Sequence, residues 1–310
     1  MSAIVLTGVT KVFETGPFQR KTAVDALSLS IPRGEVIGLL GANGSGKSTT
    51  LKMILGFLRP TRGQIQIEGR DAGTRESRRH LGYLPENPKF QKFLRGAEVL
   101  TYIGRLHGMR GKALEVRCGQ LLELVGLTHA GRERVAGYSK GMTQRLAIAQ
   151  SMLNHPALLI FDEPMSGLDP LGRMEIRSLI SRIHQEMPQA TLFFSTHILA
   201  DAEALCTSVA LLKHGKLQVH CPIAQLLQSQ SDAYELTLAG LPKTLEAEIS
   251  QSHTTSPSPL GLTVTVDSTL ALEQGLAKWR AAGARVLSIY TKRPNLEQAL
   301  FGDATAKEPQ

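Results

Sequence analysis

The sequence predicts an α/β fold. It has a large unit built on a mixed sheet with a block of helices set into it, then a smaller α/β unit. Three observations carry this reading. Apolar runs that look like buried strands end in chemically distinctive turns: GEVIGLLGANGSGKSTT from Gly34, ALLIFDEP from Ala157 and LFFSTH from Leu192. From Gly96 to about Leu127 the apolar spacing switches to three and four with no strand signal, which predicts a separate helical subdomain over about 95–155. Beyond about residue 230, short strands and helices alternate without any such turn.

Taken in order, Ile4 to Val12 and Ala23 to Ile31 alternate as strands, joined by a polar hairpin-like loop holding Gly16 and Pro17. Phe13, at the end of the first strand, is either a stacking partner for a purine ring or an ordinary strand-end aromatic. Spacing alone does not decide between them. A strand from Glu35 then enters Gly41-Ala42-Asn43-Gly44-Ser45-Gly46-Lys47-Ser48-Thr49. Gly41, Gly46, Lys47 and Ser48 satisfy G-x-x-x-x-G-K-[ST], a phosphate-binding loop. Glycine lets backbone N–H groups approach a triphosphate, and the following helix adds the positive end of its dipole. Lys47 is expected on the β- and γ-phosphates and the Ser48 hydroxyl on Mg²⁺. A helix follows to about Leu58, stopped by Arg59-Pro60, and then a short strand from Gly63 to Glu68.

LGYLPE, Leu81 to Glu86, reads as a strand whose exit carries a polar oxygen donor, Glu86. After the helical block, Ser139 is a good N-cap for a helix whose Met142, Leu146, Ala149 and Leu153 form a core stripe. Ser139 and Gly141 at its start suit an anion, although alone they describe only a capped helix. The next buried strand ends in paired acids. Asp162 is expected in the Mg²⁺ shell, and Glu163 is placed to polarise an attacking water. A third strand ends in Ser195-Thr196-His197, where His197 can contact a γ-phosphate; a lone histidine is more often structural, so this role leans on its position in the series.

Composition narrows the class. The 310 residues, 42% apolar and 20% charged, describe an ordinary globular chain of about two domains. Its apolar runs are far shorter than the ~20 residues that span a bilayer. The N-terminus carries no basic-then-apolar export signal, which predicts a protein kept in the cytoplasm. Cys118, Cys206 and Cys221 form no C-x-x-C pair, so reduced thiols are expected rather than a disulfide framework or a zinc site. The net charge of +8 would permit nucleic acid or anionic lipid. Its densest cluster, Arg75, Arg78, Arg79 and His80, lacks interleaved aromatics and reads first as a solvated face.

Together, Phe13, GANGSGKST, LGYLPE, YSKGMTQR, LLIFDEP, SGLD and THIL resemble, in order and spacing, the nucleotide-binding subunits of ABC transporters over about residues 1–228. The resemblance implies a P-loop NTPase core of the ABC ATPase kind. ATP would be held between Gly41–Thr49 of one subunit and Ser139–Gly141 of a second, antiparallel copy. It further implies that Asp162 completes the Mg²⁺ site, Glu163 is the general base, His197 senses the γ-phosphate and Asp169 of SGLD lies across the dimer seam. Two departures stand out. Lys140 and Met142 replace a glycine and a glutamine of the usual LSGGQ, and Glu86 replaces the usual glutamine, still offering oxygen to Mg²⁺ or water. Both resemble the subgroup serving ABC-2 type exporters.

The C-terminal part is expected to run as a strand at Tyr234 to Leu238, a helix at Lys243 to Ile249 and a flexible loop at 253–259. A strand at Leu262 to Val266, a helix over Leu270 to Ala282, a strand at Arg285 to Tyr290 and a helix at Asn295 to Phe301 complete it. This predicts a domain at 231–302, an abbreviated ferredoxin-like unit after a nucleotide-binding domain at 1–230, with a disordered tail at 303–310. Its ending, RPNLEQALF, is similar to that of many ABC-2 type ATPase subunits. The resulting expectation is an ATPase motor of an exporter, a homodimer with ATP and Mg²⁺, peripheral on the cytoplasmic side of the inner membrane against an ABC-2 type permease. No nucleic-acid partner is expected. The rival readings are a soluble ABC ATPase acting on nucleic acid or ribosomes, and a small-molecule kinase, which would have no need of Ser139–Gly141. The transported substrate is not encoded in a motor chain.

Overall fold

The computed structural model describes residues 2–16, 19–227, 233–291 and 296–301. The chain divides into two compact units, Met1–Ile223 and Ala224–Gln310. Residue 230, the expected boundary, lies outside the described residues, as do Pro17, Asn295 and the expected tail.

The first unit opens with a long hairpin, β1 (Ser2–Gly16) and β2 (Gln19–Pro32), followed by β3 (Val36–Leu40) and helix α1 (Lys47–Ile54). The strands run further towards the turn than their alternation suggested, with Phe13 paired to Lys21. Helix α1 ends at Ile54, four residues before the expected Leu58, and Arg59-Pro60 is not what stops it. Gly56 at φ +72° takes the left-handed position. Its N–H donates to the Met53 carbonyl at 3.0 Å and that of Phe57 to Lys52 at 2.8 Å. This paired closure ends a helix wherever glycine supplies the reversal.

Next come β4 (Arg62–Ile67), β5 (Arg70–Asp71), the single turn α2 (Arg75–Arg78) and β6 (Leu81–Leu84). β6 stops one residue before Pro85. The helical block supplies α3 (Gly96–Leu106), α4 (Gly111–Leu124) and α5 (Lys140–Ser151). It is followed by β7 (Leu158–Asp162), α6 (Pro170–Glu186), β8 (Thr191–Thr196), α7 (Leu199–Leu205), β9 (Ser208–Lys213) and β10 (Lys216–Pro222).

Two sheets result. One is antiparallel, in the order β2-β1-β4-β5. The other is six-stranded, β10-β9-β3-β8-β7-β6, parallel except for β10 on its edge, and so mixed. Every residue of β3, β7 and β8 is buried, as expected of a sheet covered on both faces. Alternate side chains feed two cores. Leu159, Phe161, Leu192 and Phe194 pack with α4, α5 and α6, whereas Leu158, Ile160 and Phe193 pack with α1 and the antiparallel sheet. Each such Leu, Ile or Phe contributes ~1.5–3 kcal/mol by leaving water. The sheet is therefore a stiff platform, and its parallel strands deliver their C-terminal ends side by side.

α8 (Ile223–Leu227) begins at the last residue of the first unit. The second unit continues with β11 (Tyr234–Ala239), α9 (Lys243–Ser252), β12 (Thr254–Ser258), β13 (Gly261–Val266), α10 (Thr269–Ala281), β14 (Arg285–Thr291) and α11 (Leu296–Phe301). Here the expected flexible loop at 253–259 is corrected: Thr254–Ser258 is a strand, paired antiparallel with β13. It lies on the edge of the sheet β12-β13-β11-β14, where Pro257 can lack an N–H because only one side of the strand needs ladder bonds. With that strand, β11 to β14 and their two helices form a whole βαββαβ unit rather than an abbreviated one. Leu236, Leu238, Val264 and Trp279 centre its core.

Candidate nucleotide site

The turn between β3 and α1 is shaped by residue size. Gly46, at φ +110°, has no room for a side chain, because a Cβ there would stand 2.6 Å from the Ala23 carbonyl oxygen. That close approach brings the hairpin strand β2 against the loop. Gly46 is also the N-cap of α1 and offers no side-chain cap, which leaves the first-turn N–H groups to an outside acceptor. The Ser45 hydroxyl is buried without a hydrogen-bond partner. Lys47 is 5% exposed and its Nζ donates to the Gly41 carbonyl at 2.7 Å and to Ala42 at 3.3 Å. These are the features of a cradle for an anion.

Parallel register assembles the acidic side. Asp162 at the end of β7 pairs with Ser195 near the end of β8. The Ser195 hydroxyl donates to Asp162 Oδ1 at 2.6 Å and accepts the Glu163 N–H at 3.0 Å. Glu163 thereby adopts φ +46°, a left-handed conformation that costs a non-glycine residue ~1–3 kcal/mol and that its neighbours must sustain. Its carboxylate lies 3.6 Å from Lys47 Nζ and 2.9 Å from His197 Nδ1. Burial, then the charges of Asp162 and Glu86, pushes the Tyr83 phenol up to about 12, so it stays protonated beside them.

A cavity of about 470 Å³ joins these groups. Phe13, Asn43, Gly44, Gly46, Lys47, Ser48, Thr49, Glu86, Glu163 and His197 all line it. Phe13 is half-buried, with Lys11 Nζ 5.2 Å from its ring centroid. Gly41, Ala42, Ser45 and Asp162 belong to the supporting turns just described. Ser139, Gly141 and Asp169 are not brought to this cavity; they line another of about 290 Å³ beside α5 and α6, which shares no lining residue with it. There Ser139 caps α5 by accepting the Met142 N–H at 3.1 Å, and Asp169 caps α6 through Gly172 N–H at 3.2 Å.

Sequence reasoning passed over Thr15, Lys21, Ala23 and Ser166, which also line the larger cavity, and the bridging role of Ser195. Alternation in β1 and β2 could have flagged Thr15 and Lys21 only once the register of the hairpin was known.

The donor set fits a nucleotide and a hard cation. An uncapped helix start and an orphaned hydroxyl suit phosphate. Ser48 and Asp162 offer oxygen, and a Mg²⁺ held by one or two side chains takes its remaining ligands from water and phosphate. Among the described residues there is no cluster of three or more His, Cys, Asp or Glu that could hold a metal ion.

Comparison with known proteins adds to this geometry. Residues 24–166 match the family described as ABC transporter. The chain is 40% identical over 213 residues to the uncharacterized ABC transporter ATP-binding protein YxlF of Bacillus subtilis, covering 69% of this chain and 70% of that protein. It is 37% identical over 243 residues to the bacitracin transport ATP-binding protein BcrA of Bacillus licheniformis, covering 77% and 76%. An uncharacterized relative from Synechocystis, 39% identical over 75% of this chain, is spanned over 66% of its own length. Among solved structures, cbiO1 from Clostridium perfringens, part of the transporter complex cbiONQ, superposes with a TM-score of 0.65 at 26% identity, covering 73% of this chain and 90% of that one. A dimeric ATP-binding cassette bound to ADP and Pi, 24% identical, shares the fold with a TM-score of 0.64, covering 71% and 98%. With a phosphate loop, paired acids and a strand-end histidine at the C-terminal ends of neighbouring parallel strands, the chain belongs to the ATP-binding proteins of ABC transporters and is an ATPase of that family.

Proposed function

We propose that this chain is the motor subunit of an ABC-2 type exporter, closing as a homodimer around two ATP and driving a separate permease. The observation that carries the reading is the division of the site. Phosphate loop and acids line one cavity, while the Ser139–Gly141 tip lines another in the same chain. A second, antiparallel copy would supply the missing wall, with Asp169 at the seam. Bacitracin transport, stated in the name of BcrA, supports a role in transport. Among the described residues no helix is long and apolar enough to cross a membrane, so passage of a cargo calls for a partner with spans of its own. The chain would sit peripherally on the cytoplasmic face of the inner membrane.

In this reading the α1 N–H groups and Lys47 bind the phosphates, and Phe13 stacks on the adenine. Glu163, oriented by His197 and by its own N–H bond to Ser195, takes the proton of the attacking water. His197 contacts the γ-phosphate. Ser48 and Asp162, with Glu86 nearby, would hold Mg²⁺, which when bound neutralises charge on the phosphate oxygens. Positioning and charge carry the acceleration, because phosphoryl transfer to water needs no covalent help from the protein.

Glu163→Gln is the direct test. Its amide fills the same space but cannot accept the proton. ATP binding should persist, turnover should fall by at least about a hundredfold, and closed dimers should accumulate on size-exclusion chromatography with ATP. Turnover near the wild-type rate would remove Glu163 as base.

A further inference from the structure

One buried carboxylate has no place in the nucleotide cavity. Asp201, in the first turn of α7, is 1% exposed. An ionised side chain at that depth is strongly disfavoured unless it is paired and hydrogen-bonded. Both of its oxygens are taken by α6. Arg173 Nη2 donates to Oδ2 at 2.7 Å, while Arg177 donates to Oδ1 from Nε at 2.9 Å and also from Nη2. The two arginines stand four residues apart, on one face of α6.

What this clamp joins is informative. α6 starts directly after Asp169, and the Arg173 N–H donates to the Asp169 carbonyl at 2.9 Å. α7 starts two residues after His197, and the Asp201 N–H donates to the Ile198 carbonyl at 3.2 Å. The Ile198 N–H is in turn held by Thr196 Oγ1 at 3.0 Å. Seven residues make only two turns, too few for α7 to fix its own orientation without tertiary ties. A buried ion pair is also a poor source of stability compared with apolar packing, so its use here calls for a geometric reason.

We propose that Asp201, gripped by Arg173 and Arg177, is a positioning residue for ATP hydrolysis. It fixes the start of α7, and so His197 against Glu163, to the start of α6, where Asp169 lies. The proposal rests on the roles given above to Glu163 and His197. A loosened His197 leaves Glu163 held on one side only, by Ser195 and Lys47, and small misplacements of a catalytic group are costly in rate.

The test uses the full chain. Asp201→Asn preserves volume, but its amide offers one acceptor where the two guanidinium groups need two. ATP affinity, by equilibrium titration, should stay within about threefold while kcat falls at least about tenfold at little-changed KM. Asp201→Glu should recover most of the loss. The ¹⁵N resonances of the His197 imidazole should move in Asp201→Asn, which a purely structural contact remote from the site would not cause. Arg177→Lys, which keeps charge but loses the fork, should show the same kcat-only defect and serves if Asp201→Asn fails to fold. An unchanged kcat in both variants, or equal losses of affinity and turnover, would overturn the proposal. Failure of the underlying roles reads differently: Glu163→Gln and His197→Ala would then turn over normally whatever Asp201 does.

Discussion

At the residue scale, Lys47 has three neighbours that explain its chemistry: the Gly41 carbonyl at 2.7 Å, the Ala42 carbonyl at 3.3 Å and the Glu163 carboxylate at 3.6 Å. The two carbonyl oxygens hold the buried Nζ in place within the turn where a phosphate would sit. Charge-assisted bonds are worth ~1.5–3 kcal/mol each, so Lys47→Ala should weaken ATP binding by about tenfold to a hundredfold. Unchanged affinity in a nucleotide titration would contradict the phosphate contact. Tyr83 gives a prediction in pH. Its phenol is raised to about 12 by burial first and by Asp162 and Glu86 second. The folded state holds this proton more tightly than the unfolded state, so the linked stability is fully present below about 10 and is lost as pH rises towards 12. Burial also raises the Tyr138 phenol, so alkaline titration followed by tyrosinate absorbance should show more than one late-titrating tyrosine. Tyr83→Phe should remove the component near about 12 and that part of the alkaline destabilisation.

The placement of Lys47, Asp162 and Glu163 in turns at strand ends was legible from local spacing, because a phosphate-loop pattern and paired acids are each contiguous in the chain. Ser195 was not. It matters because β7 and β8 run in parallel with Asp162 opposite Ser195, a register that no local pattern states.

At the element scale, a single residue can decide where an element ends. Gly56 closes α1 at φ +72°, and a Cβ there would stand 2.7 Å from the Ala72 carbonyl oxygen. Gly56→Ala combines that clash with the ~1–2 kcal/mol that a side chain pays in the left-handed region. The expected outcome is a fall of at least about 1 kcal/mol in unfolding free energy, read as a lower denaturant midpoint at unchanged slope. The same glycine explains the mistaken helix end: Arg59-Pro60 was the stronger local stop signal, but the left-handed turn at Gly56 acts first. Thr254–Ser258 misled for a related reason. Its serines and Pro257, with Pro259 just beyond it, read as loop. An edge position and a partner in β13 make it a strand.

At the scale of the whole molecule, every residue lining the nucleotide cavity lies within Met1–Ile223. The second unit has a core of its own, around Leu236, Leu238 and Trp279. Removing residues from 231 onward should therefore leave ATP binding within about twofold of the full chain, since domains with separate cores fold as units. Lost ATPase with preserved binding would show that the second unit supports the closed dimer; preserved ATPase and dimerisation would direct its role to regulation or partner contact.

The amino-acid order by itself determined the α/β class, the phosphate-loop pattern, the paired acids and most, though not all, of the strands and helices. These depend on periodicity and on short contiguous motifs, which the chain carries wherever it folds. Only the tertiary structure decided which of those motifs share a cavity. Parallel pairing gathers Lys47, Glu163 and His197 at the C-terminal ends of neighbouring strands, while α5 and α6 hold Ser139 and Asp169 at a separate cavity. It also decided that Asp201 meets Arg173 and Arg177. Contacts between residues far apart in the chain are set by strand register and helix packing, and a linear pattern contains neither.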